Sequence, residues 1–376
     1  MTLTLAVPKE SAPGERRVAL VPSVAKQIDK LGVKILMEKG AGEDSGFDDG
    51  DYQSVEFTAP GSLYEQADIL LKVQPPNPDE AGKLKQGSVL LGFLAPHTGD
   101  NRIRKLLERK VSAFAMELVP RITRAQSIDA LSSQASIAGY KAALLAASLC
   151  PRLFPMLTTA AGTIRPAKAL IIGAGVAGLQ AIATTRRLGA ITEAYDVRSA
   201  TKEQVESLGG KFINTGVKAE GEGGYARELT PAEKQQQQEV LAEHIALADA
   251  VISTAAIPGR PAPKIIDQAT VARMKRGSVI IDLAAESGGN CELTQAGKQI
   301  DYKGVVIYGP MNITSTAATH ASEMYSRNLY NLLVLMVKDG ELRLNWDDQV
   351  IADSCLTYAG EIRHAPTRER MEGGKK

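Results

Sequence analysis

The residue pattern with the most evident chemistry is a glycine-rich turn that follows an apolar run. Residues 169–172 are apolar, and the spacing G-x-G-x-x-G then places Gly173, Gly175 and Gly178 before an alanine-rich stretch. The first glycine allows a tight turn, the second lets backbone N–H groups approach a pyrophosphate, and the third lets a helix pack closely on its strand. The positive N-terminal end of that helix would stabilise the phosphates. The predicted cofactor-binding residues of this turn are Gly173, Ala174, Gly175, Val176 and Gly178.

An acidic residue after the next apolar run predicts which dinucleotide binds. The predicted strand Ile191–Asp196 ends in a carboxylate, about 20 residues after the glycines, where this type of fold places the adenosine ribose. A carboxylate there accepts the ribose hydroxyls and repels a 2′-phosphate, so the expected cofactor is NAD(H) rather than NADP(H). The nearby arginine leaves the exclusion of NADP(H) open, because an arginine can accommodate a 2′-phosphate. Asp196, Val197 and Arg198 extend the predicted cofactor-binding set.

A second polar cluster lies in residues 120–132, just before a predicted helix. Arg121 can pair with Asp129, and the side chains of Gln126 and Ser132 can hydrogen-bond a carboxamide or a ribose. The alternative is a solvated loop in which Asp129 or Ser132 caps the helix. The residues alone leave both interpretations open.

Two glycine-rich stretches have competing interpretations. Gly216–Pro231 contains little to bury, and it is either a flexible loop or a mobile lid that closes on the cofactor through its one aromatic residue, Tyr225. Residues 40–46 follow a predicted strand and resemble a phosphate loop, but the acidic stretch after them would repel phosphate. We therefore expect a surface turn at residues 40–46.

The elements around these patterns predict an α/β fold of two Rossmann-like domains, in which helices flank parallel sheets. Short and mostly apolar runs predict strands that are covered on both faces. In the second half they are Ala169–Ile172, Ile191–Asp196, Lys211–Ile213, Ala250–Ser253, Val279–Asp282 and Val305–Tyr308. In the first third they are Leu3–Val7, Val33–Glu38, Ile69–Val73, Val89–Phe93 and Ser112–Ala115. The first set matches a complete dinucleotide-binding sheet, in the doubly wound order.

Long helices predicted at Ser132–Leu149 and Thr319–Val337 would join the two domains. The first domain is expected to span residues 1–131 and to be completed by residues 325–376, and the NAD(H)-binding domain is expected to span residues 132–324. A cleft between the domains would receive the nicotinamide end of the dinucleotide. A further helix is expected at Ser23–Leu31, with Ser23 as its N-cap.

Composition and charge exclude several classes of protein. Of the 376 residues, 44% are hydrophobic and 23% are charged, and the formal net charge is +1, so no overall field attracts nucleic acid or anionic lipid. No apolar run approaches the ~20 residues of a membrane span, and the predicted strand at the start indicates no signal peptide. The three cysteines and four histidines form no metal-binding pattern. We expect a soluble, cytoplasmic protein without a metal site or direct membrane insertion.

From about residue 3 to about residue 365, the chain resembles the NAD(H)-binding subunits of proton-translocating nicotinamide nucleotide transhydrogenases. The segments that carry the resemblance are residues 115–140, 173–183, 200–210, 257–263, 282–284 and 288–290. The resemblance implies an oxidoreductase component in which hydride passes directly between NADH and NADP⁺ held on a separate NADP(H)-binding subunit. It also implies a homodimer, docked at the cytoplasmic face on membrane-spanning subunits that carry out proton translocation.

The resemblance also implies roles for the two less certain stretches. In the family the polar loop positions the nicotinamide and its ribose, and the predicted catalytic residues are accordingly Arg121, Gln126, Asp129 and Ser132. The family has a mobile loop with a tyrosine, which favours a lid that closes through Tyr225. Hydride transfer between two nicotinamides moves no proton at the reacting centres, so such a site depends on orientation rather than on an acid or a base.

Alanine dehydrogenase is the main alternative, because it shares the fold and much of the sequence frame. Its substrate-binding arginine and lysine correspond to Arg17 and Lys72, and its catalytic aspartate corresponds to Glu286. Its catalytic histidine corresponds to Ala95, and reductive amination needs a proton donor beside the keto group. From the residues alone, Lys72 is also consistent with a side chain that reaches solvent. A non-catalytic NAD(H) sensor is a third possibility, against which the polar cluster argues.

Overall fold

The computed structural model describes residues 2–216, 230–257 and 259–373. The chain divides into unit 1, within residues 1–134 and 314–376, and unit 2, within residues 135–313. In chain order the strands are β1 (Thr4–Val7), β2 (Lys34–Glu38), β3 (Val55–Thr58), β4 (Ile69–Leu71), β5 (Val89–Gly92), β6 (Ser112–Ala115), β7 (Leu157–Thr159), β8 (Gly162–Ile164), β9 (Lys168–Ile172), β10 (Ile191–Tyr195), β11 (Lys211–Phe212), β12 (Ala250–Ser253), β13 (Val279–Asp282), β14 (Gln299–Tyr302), β15 (Val305–Tyr308), β16 (Val337–Lys338), β17 (Glu341–Leu342), β18 (Cys355–Tyr358) and β19 (Glu361–Ile362). The helices are α1 (Pro22–Asp29), α2 (Pro78–Lys83), α3 (Asp100–Glu108), α4 (Ala130–Leu149), α5 (Val176–Arg187), α6 (Lys202–Ser207), α7 (Pro231–Leu247), α8 (Gln268–Ala272), α9 (Ala318–Leu333), α10 (Gln349–Ser354) and α11 (Ala365–Gly373). None of these helices is both long enough and apolar enough to cross a membrane within the described residues.

Unit 2 contains a sheet with the strand order of a dinucleotide-binding fold. The strands lie in the order β11-β10-β9-β12-β13-β15-β14, and every neighbouring pair is parallel except β14–β15. The order reverses between β9 and β12, and ligands of such sheets bind beyond the carboxyl ends of the strands at this switch point. All six strands predicted for this half are present, and β14 adds an antiparallel edge that the sequence did not predict.

Unit 1 repeats the same strand order on a second sheet. Its strands lie in the order β19-β18-β6-β5-β4-β1-β2-β3, and the six from β6 to β3 are parallel. The C-terminal strands β18 and β19 extend the sheet antiparallel to β6. Buried apolar clusters pack on both faces of each sheet. The predicted α/β fold, with two parallel-dominated sheets flanked by helices, is confirmed.

Two local predictions in unit 1 need correction. Helix α1 begins at Pro22 and its N-cap is Val21, whose side chain makes no capping hydrogen bond, so Ser23 is not the cap. Proline takes the first helical position because its fixed φ suits the helix and its missing N–H costs nothing there. Residues 40–46 do form a turn, but it is partly buried, since the Ser45 hydroxyl is enclosed and donates to the Arg16 carbonyl at 2.7 Å.

A buried ion pair connects distant segments of unit 1. Arg17 Nε and Nη2 donate to the two carboxylate oxygens of Glu15 at 2.8 and 2.6 Å, and Arg17 Nη1 donates to Gln134 Oε1 at 2.9 Å. Ser315 and Gln74 also donate to Glu15. Burial alone would raise the pKa of Glu15, but the hydrogen bonds and charge of Arg17, with those two donors, lower it to about 2. The carboxylate is therefore ionised and fully hydrogen-bonded.

We expect Glu15→Gln to lower the free energy of unfolding at pH 7 by about 3–5 kcal/mol, because Arg17 is left buried without its counter-charge. In the wild type, the folded pKa of Glu15 is about 2 and its ordinary value is 4.5. The carboxylate's contribution, roughly 3 kcal/mol, is thus present above pH 4.5 and is lost as the pH falls towards 2. Urea unfolding between pH 7 and pH 2.5 measures both effects.

The control is Glu56→Gln, which removes one partner of the exposed pair between Lys34 and Glu56 and should cost less than about 1 kcal/mol. Equal losses in the two variants, or an unchanged acid dependence in Glu15→Gln, would contradict a stabilising role for the buried pair.

Candidate functional site

The glycine-rich turn of unit 2 connects β9 to α5. Gly173 has a φ of +93°, a conformation that side-chain-bearing residues rarely adopt. A Cβ atom on Gly178 would lie 1.8 Å from the Gly173 carbonyl oxygen. The first and third glycines are therefore required by the chain itself, because the start of α5 packs directly on the turn.

Gly175 has no such requirement from the protein. Its φ is −77°, which any residue can adopt, and a Cβ atom built there would meet no atom within 4 Å. The glycine instead leaves open space at the N-terminal end of α5, where it is the N-cap and Val176, 40% exposed, is the first helical residue. Backbone N–H groups beside an open space at a helix N-terminus fit a pyrophosphate. This part of the site fits a dinucleotide.

The carboxylate of Asp196 joins the end of β10 to the same turn. Its Oδ2 atom accepts from the backbone N–H of Ala174 at 2.8 Å, and its Oδ1 atom accepts from the backbone N–H of Arg198 at 2.9 Å. The Arg198 side chain donates to both oxygens, through Nε to Oδ1 at 2.8 Å and through Nη2 to Oδ2 at 2.9 Å. Val197, between them, is half-buried against the core of unit 2.

The environment of Asp196 keeps its side chain charged. Burial by itself would raise the pKa of this carboxyl, but the hydrogen bonds from Arg198 and Ala174 and the guanidinium charge more than offset it, and the pKa is lowered. A carboxylate that stays ionised beside a dinucleotide-binding turn can accept ribose hydroxyls and repels a 2′-phosphate. The predicted residues of unit 2 that the structure describes therefore lie together around one turn. Tyr225 lies outside the described residues.

Two polar residues to which the sequence assigned no role support this region. The Thr254 hydroxyl, directly after β12, donates to the carbonyls of Ile172 and Gly173 at 3.2 and 3.1 Å. The Asn290 side chain binds the N–H and carbonyl of Ala255 and the carbonyl of Pro263. Thr254 had a signal in the sequence, because it ends the strand that borders the switch point. Asn290 had none, because its contacts join segments distant in the chain.

The polar cluster of unit 1 is anchored by its apolar residues. Ala125 and Ile128 are buried, whereas Arg121 and Gln126 are exposed. Asp129 accepts from the backbone N–H of Ser132 at 2.9 Å and from its hydroxyl at 2.6 Å.

Asp129 thus caps α4, as one of the two interpretations of the sequence proposed. The cap fixes the Asp129 and Ser132 side chains relative to each other and leaves the Gln126 amide exposed. The Ser127 carbonyl, which accepts from Asn328 and Asn331 at 2.9 Å each, ties the cluster to α9.

Lys72 does not reach solvent, so that interpretation of the sequence is wrong. The side chain is fully buried, with Nζ 3.4 Å from a carboxylate oxygen of Glu10 and 3.4 Å from one of Glu80. Helix α2 covers it and contributes Glu80. Burial raises the pKa of Glu10, and the charge of Lys72 only partly opposes this effect. The lysine is therefore enclosed between carboxyl groups of the chain itself.

The loop that carries Ala95 has an unusual backbone. Ala95 has a φ of +45°, and its N–H donates to the buried Glu117 carboxylate at 2.7 Å. His97 lies edge-on to His364, with ring centroids 6.2 Å apart. The position that corresponds to the catalytic histidine of alanine dehydrogenase thus holds a methyl group. His97 packs beside another histidine.

Comparison with known proteins shows the family. The alanine dehydrogenase/PNT N-terminal domain matches residues 6–138, and the C-terminal domain of the same family matches residues 142–365. The chain is 45% identical to the first portion of NAD(P) transhydrogenase subunit alpha of Rhodospirillum rubrum, a separate chain, with 96% of this chain and 98% of that one covered. It is 26% identical to alanine dehydrogenase 2 of Staphylococcus aureus, with 98% and 97% covered.

A solved structure supports the same relationship. The transhydrogenase of Sinorhizobium meliloti superposes with a TM-score of 0.85 at 40% identity, with 96% of this chain and 99% of that one covered. The chain is thus homologous to a transhydrogenase component over nearly its whole length, and the resemblance found in the sequence is confirmed. By both domain models and by its relatives, the chain belongs to the alanine dehydrogenase/PNT family.

Proposed function

We propose that this chain is the NAD(H)-binding component of a proton-translocating transhydrogenase. It binds NAD(H) at the glycine-rich turn of unit 2, and hydride passes directly between NADH and NADP⁺ held on a partner subunit. The observation that carries the proposal is the ionised Asp196, bound to the backbone of a turn whose second glycine leaves space for phosphate. The high identity to transhydrogenase subunits favours this activity over others of the family.

The residues of the polar cluster serve to orient rather than to transfer protons. When bound, the dinucleotide supplies the hydride from C4 of its nicotinamide. The exposed amide of Gln126 offers a donor and an acceptor to a carboxamide, and Arg121 adds a positive charge. Asp129 and Ser132 hold each other in one arrangement, which is what a positioning site needs. Ala95 needs no replacement by an acid or base in this reaction.

We further propose a homodimer that docks on membrane-spanning subunits from the cytoplasmic side, beside an NADP(H)-binding subunit. The name of the Rhodospirillum relative describes that protein as one portion of an alpha subunit, and so as a component of a larger assembly. In this chain the β7–β8 hairpin has all six strand residues exposed. Met156, Leu157 and Ile164 are 65, 43 and 49% exposed. A second copy of the chain would cover this apolar hairpin.

Alanine dehydrogenase remains the second candidate, favoured by the family and by Arg17 and Lys72. Both cations are already paired inside unit 1, Arg17 with Glu15 and Lys72 with Glu10 and Glu80. An oxo-acid carboxylate would have to displace these partners at the cost of leaving buried charges unpaired. The missing proton donor at Ala95 counts against reductive amination as well.

The proposal is tested by mixing the purified chain with the NADP(H)-binding component of a transhydrogenase. Reduction of an NAD⁺ analogue by NADPH labelled with deuterium at C4 is followed without pyruvate or ammonium. We expect rapid turnover that requires both proteins, and deuterium in the reduced analogue, because the hydride passes directly.

Two other outcomes would contradict the proposal. Turnover by this chain alone with pyruvate, ammonium and NADH would identify an alanine dehydrogenase. Tight NADH binding without turnover in either assay would indicate a non-catalytic sensor.

We expect Gln126→Ala to slow single-turnover hydride transfer by about 10- to 100-fold, because a small displacement of the nicotinamide greatly reduces productive geometry. The dissociation constant of NADH, measured by its fluorescence, should change less than about threefold, since most contacts lie elsewhere on the dinucleotide. Gln27→Ala, an exposed glutamine on α1, is the control and should alter neither quantity. Equal losses of rate and affinity in Gln126→Ala would contradict a positioning role.

A further inference from the structure

The Asp196 carboxylate has no acceptor position left over. A carboxylate offers about four lone-pair sites, two on each oxygen. Oδ1 accepts from the backbone N–H and from Nε of Arg198, and Oδ2 accepts from the backbone N–H of Ala174 and from Nη2 of Arg198. A ribose diol that donates to this carboxylate must therefore replace existing hydrogen bonds.

Only the Arg198 side chain can leave without disturbing the fold. The two backbone donors belong to the glycine-rich turn and to the segment after β10. The guanidinium is 30% exposed, whereas the carboxylate that it covers is 7% exposed. The guanidinium makes one bond to each oxygen, and a cis-diol also brings one O–H donor for each oxygen. The number and placement of the bonds match.

We propose that the Arg198 guanidinium and the adenosine ribose diol compete for the same two oxygens of Asp196, so that Arg198 lowers the affinity for NAD(H). This inference rests on the proposed NAD(H) site. The bound dinucleotide displaces an internal, charge-assisted pair, and the measured affinity is reduced by the cost of opening that pair.

The same displacement gives Arg198 the opposite effect on a 2′-phosphorylated nucleotide. NADPH lacks the 2′-hydroxyl and can offer only one ribose O–H to Asp196. The displaced guanidinium would stay beside the ribose, where it can pair with the 2′-phosphate. Arg198 therefore narrows the preference for NADH over NADPH from both directions.

The test is the equilibrium binding of NADH, NADPH, AMP and 2′-deoxy-AMP to the wild type, Arg198→Ala and Arg198→Lys. We expect Arg198→Ala to bind NADH about three- to tenfold more tightly than the wild type, and NADPH more weakly. The gain should be larger for AMP than for 2′-deoxy-AMP, which has only one of the two hydroxyls. Arg198→Lys keeps the charge without the planar fork and should lie between the other two proteins.

Arg187→Ala is the control for charge, because it removes an exposed arginine from the last turn of α5. Its NADH affinity should change less than about twofold, since salt screens a distant surface charge. Weaker or unchanged NADH binding by Arg198→Ala, with normal binding by the wild type, would overturn the competition and leave the proposed function intact. A wild type that binds neither dinucleotide would overturn both.

Discussion

The hydrogen bond from the Ala174 N–H to the Asp196 carboxylate is the interaction on which unit 2 depends. It joins the ends of the parallel neighbours β9 and β10, so that the conformation of the glycine-rich turn and the position of the negative charge are set together. Burying a carboxylate is costly, and this one remains ionised because four donors surround it. One side chain thereby shapes the phosphate-binding turn, holds Arg198 and presents the charge that distinguishes a ribose diol from a 2′-phosphate.

Unit 1 shows that the strand order alone does not make a binding site. Its sheet also reverses order between β1 and β4, and Lys72 directly follows β4 at that switch point. There the charged groups satisfy one another, because Lys72 lies between Glu10 and Glu80, and Glu10 accepts from the N–H groups of Val73 and Gln74. The two units thus share a topology and differ in the groups placed at its functional edge, where function is decided.

Sequence reasoning succeeded where the signal is local and failed where it depends on distant segments. Strands covered on both faces were predicted, because continuous apolar runs mark them, whereas β3 and β14 were not, because these edge strands are only partly buried. The glycine spacing located the turn, and its distance to Asp196 located the acid. The burial of Lys72 could not be predicted, since Glu10 and Glu80 reach it from separate parts of the chain. The spacing of Asp196 and Arg198 likewise did not show that their side chains pair.

The most direct test of this account is the ratio of the NADPH and NADH dissociation constants in Asp196→Asn compared with the wild type. The variant keeps the shape of the side chain and removes its charge, so the repulsion of a 2′-phosphate disappears and Arg198 loses its partner. We predict a wild-type preference for NADH that falls about tenfold in the variant, with both proteins folded by thermal unfolding. An unchanged ratio would contradict the account, because the ribose would then be recognised by groups other than the Asp196 carboxylate.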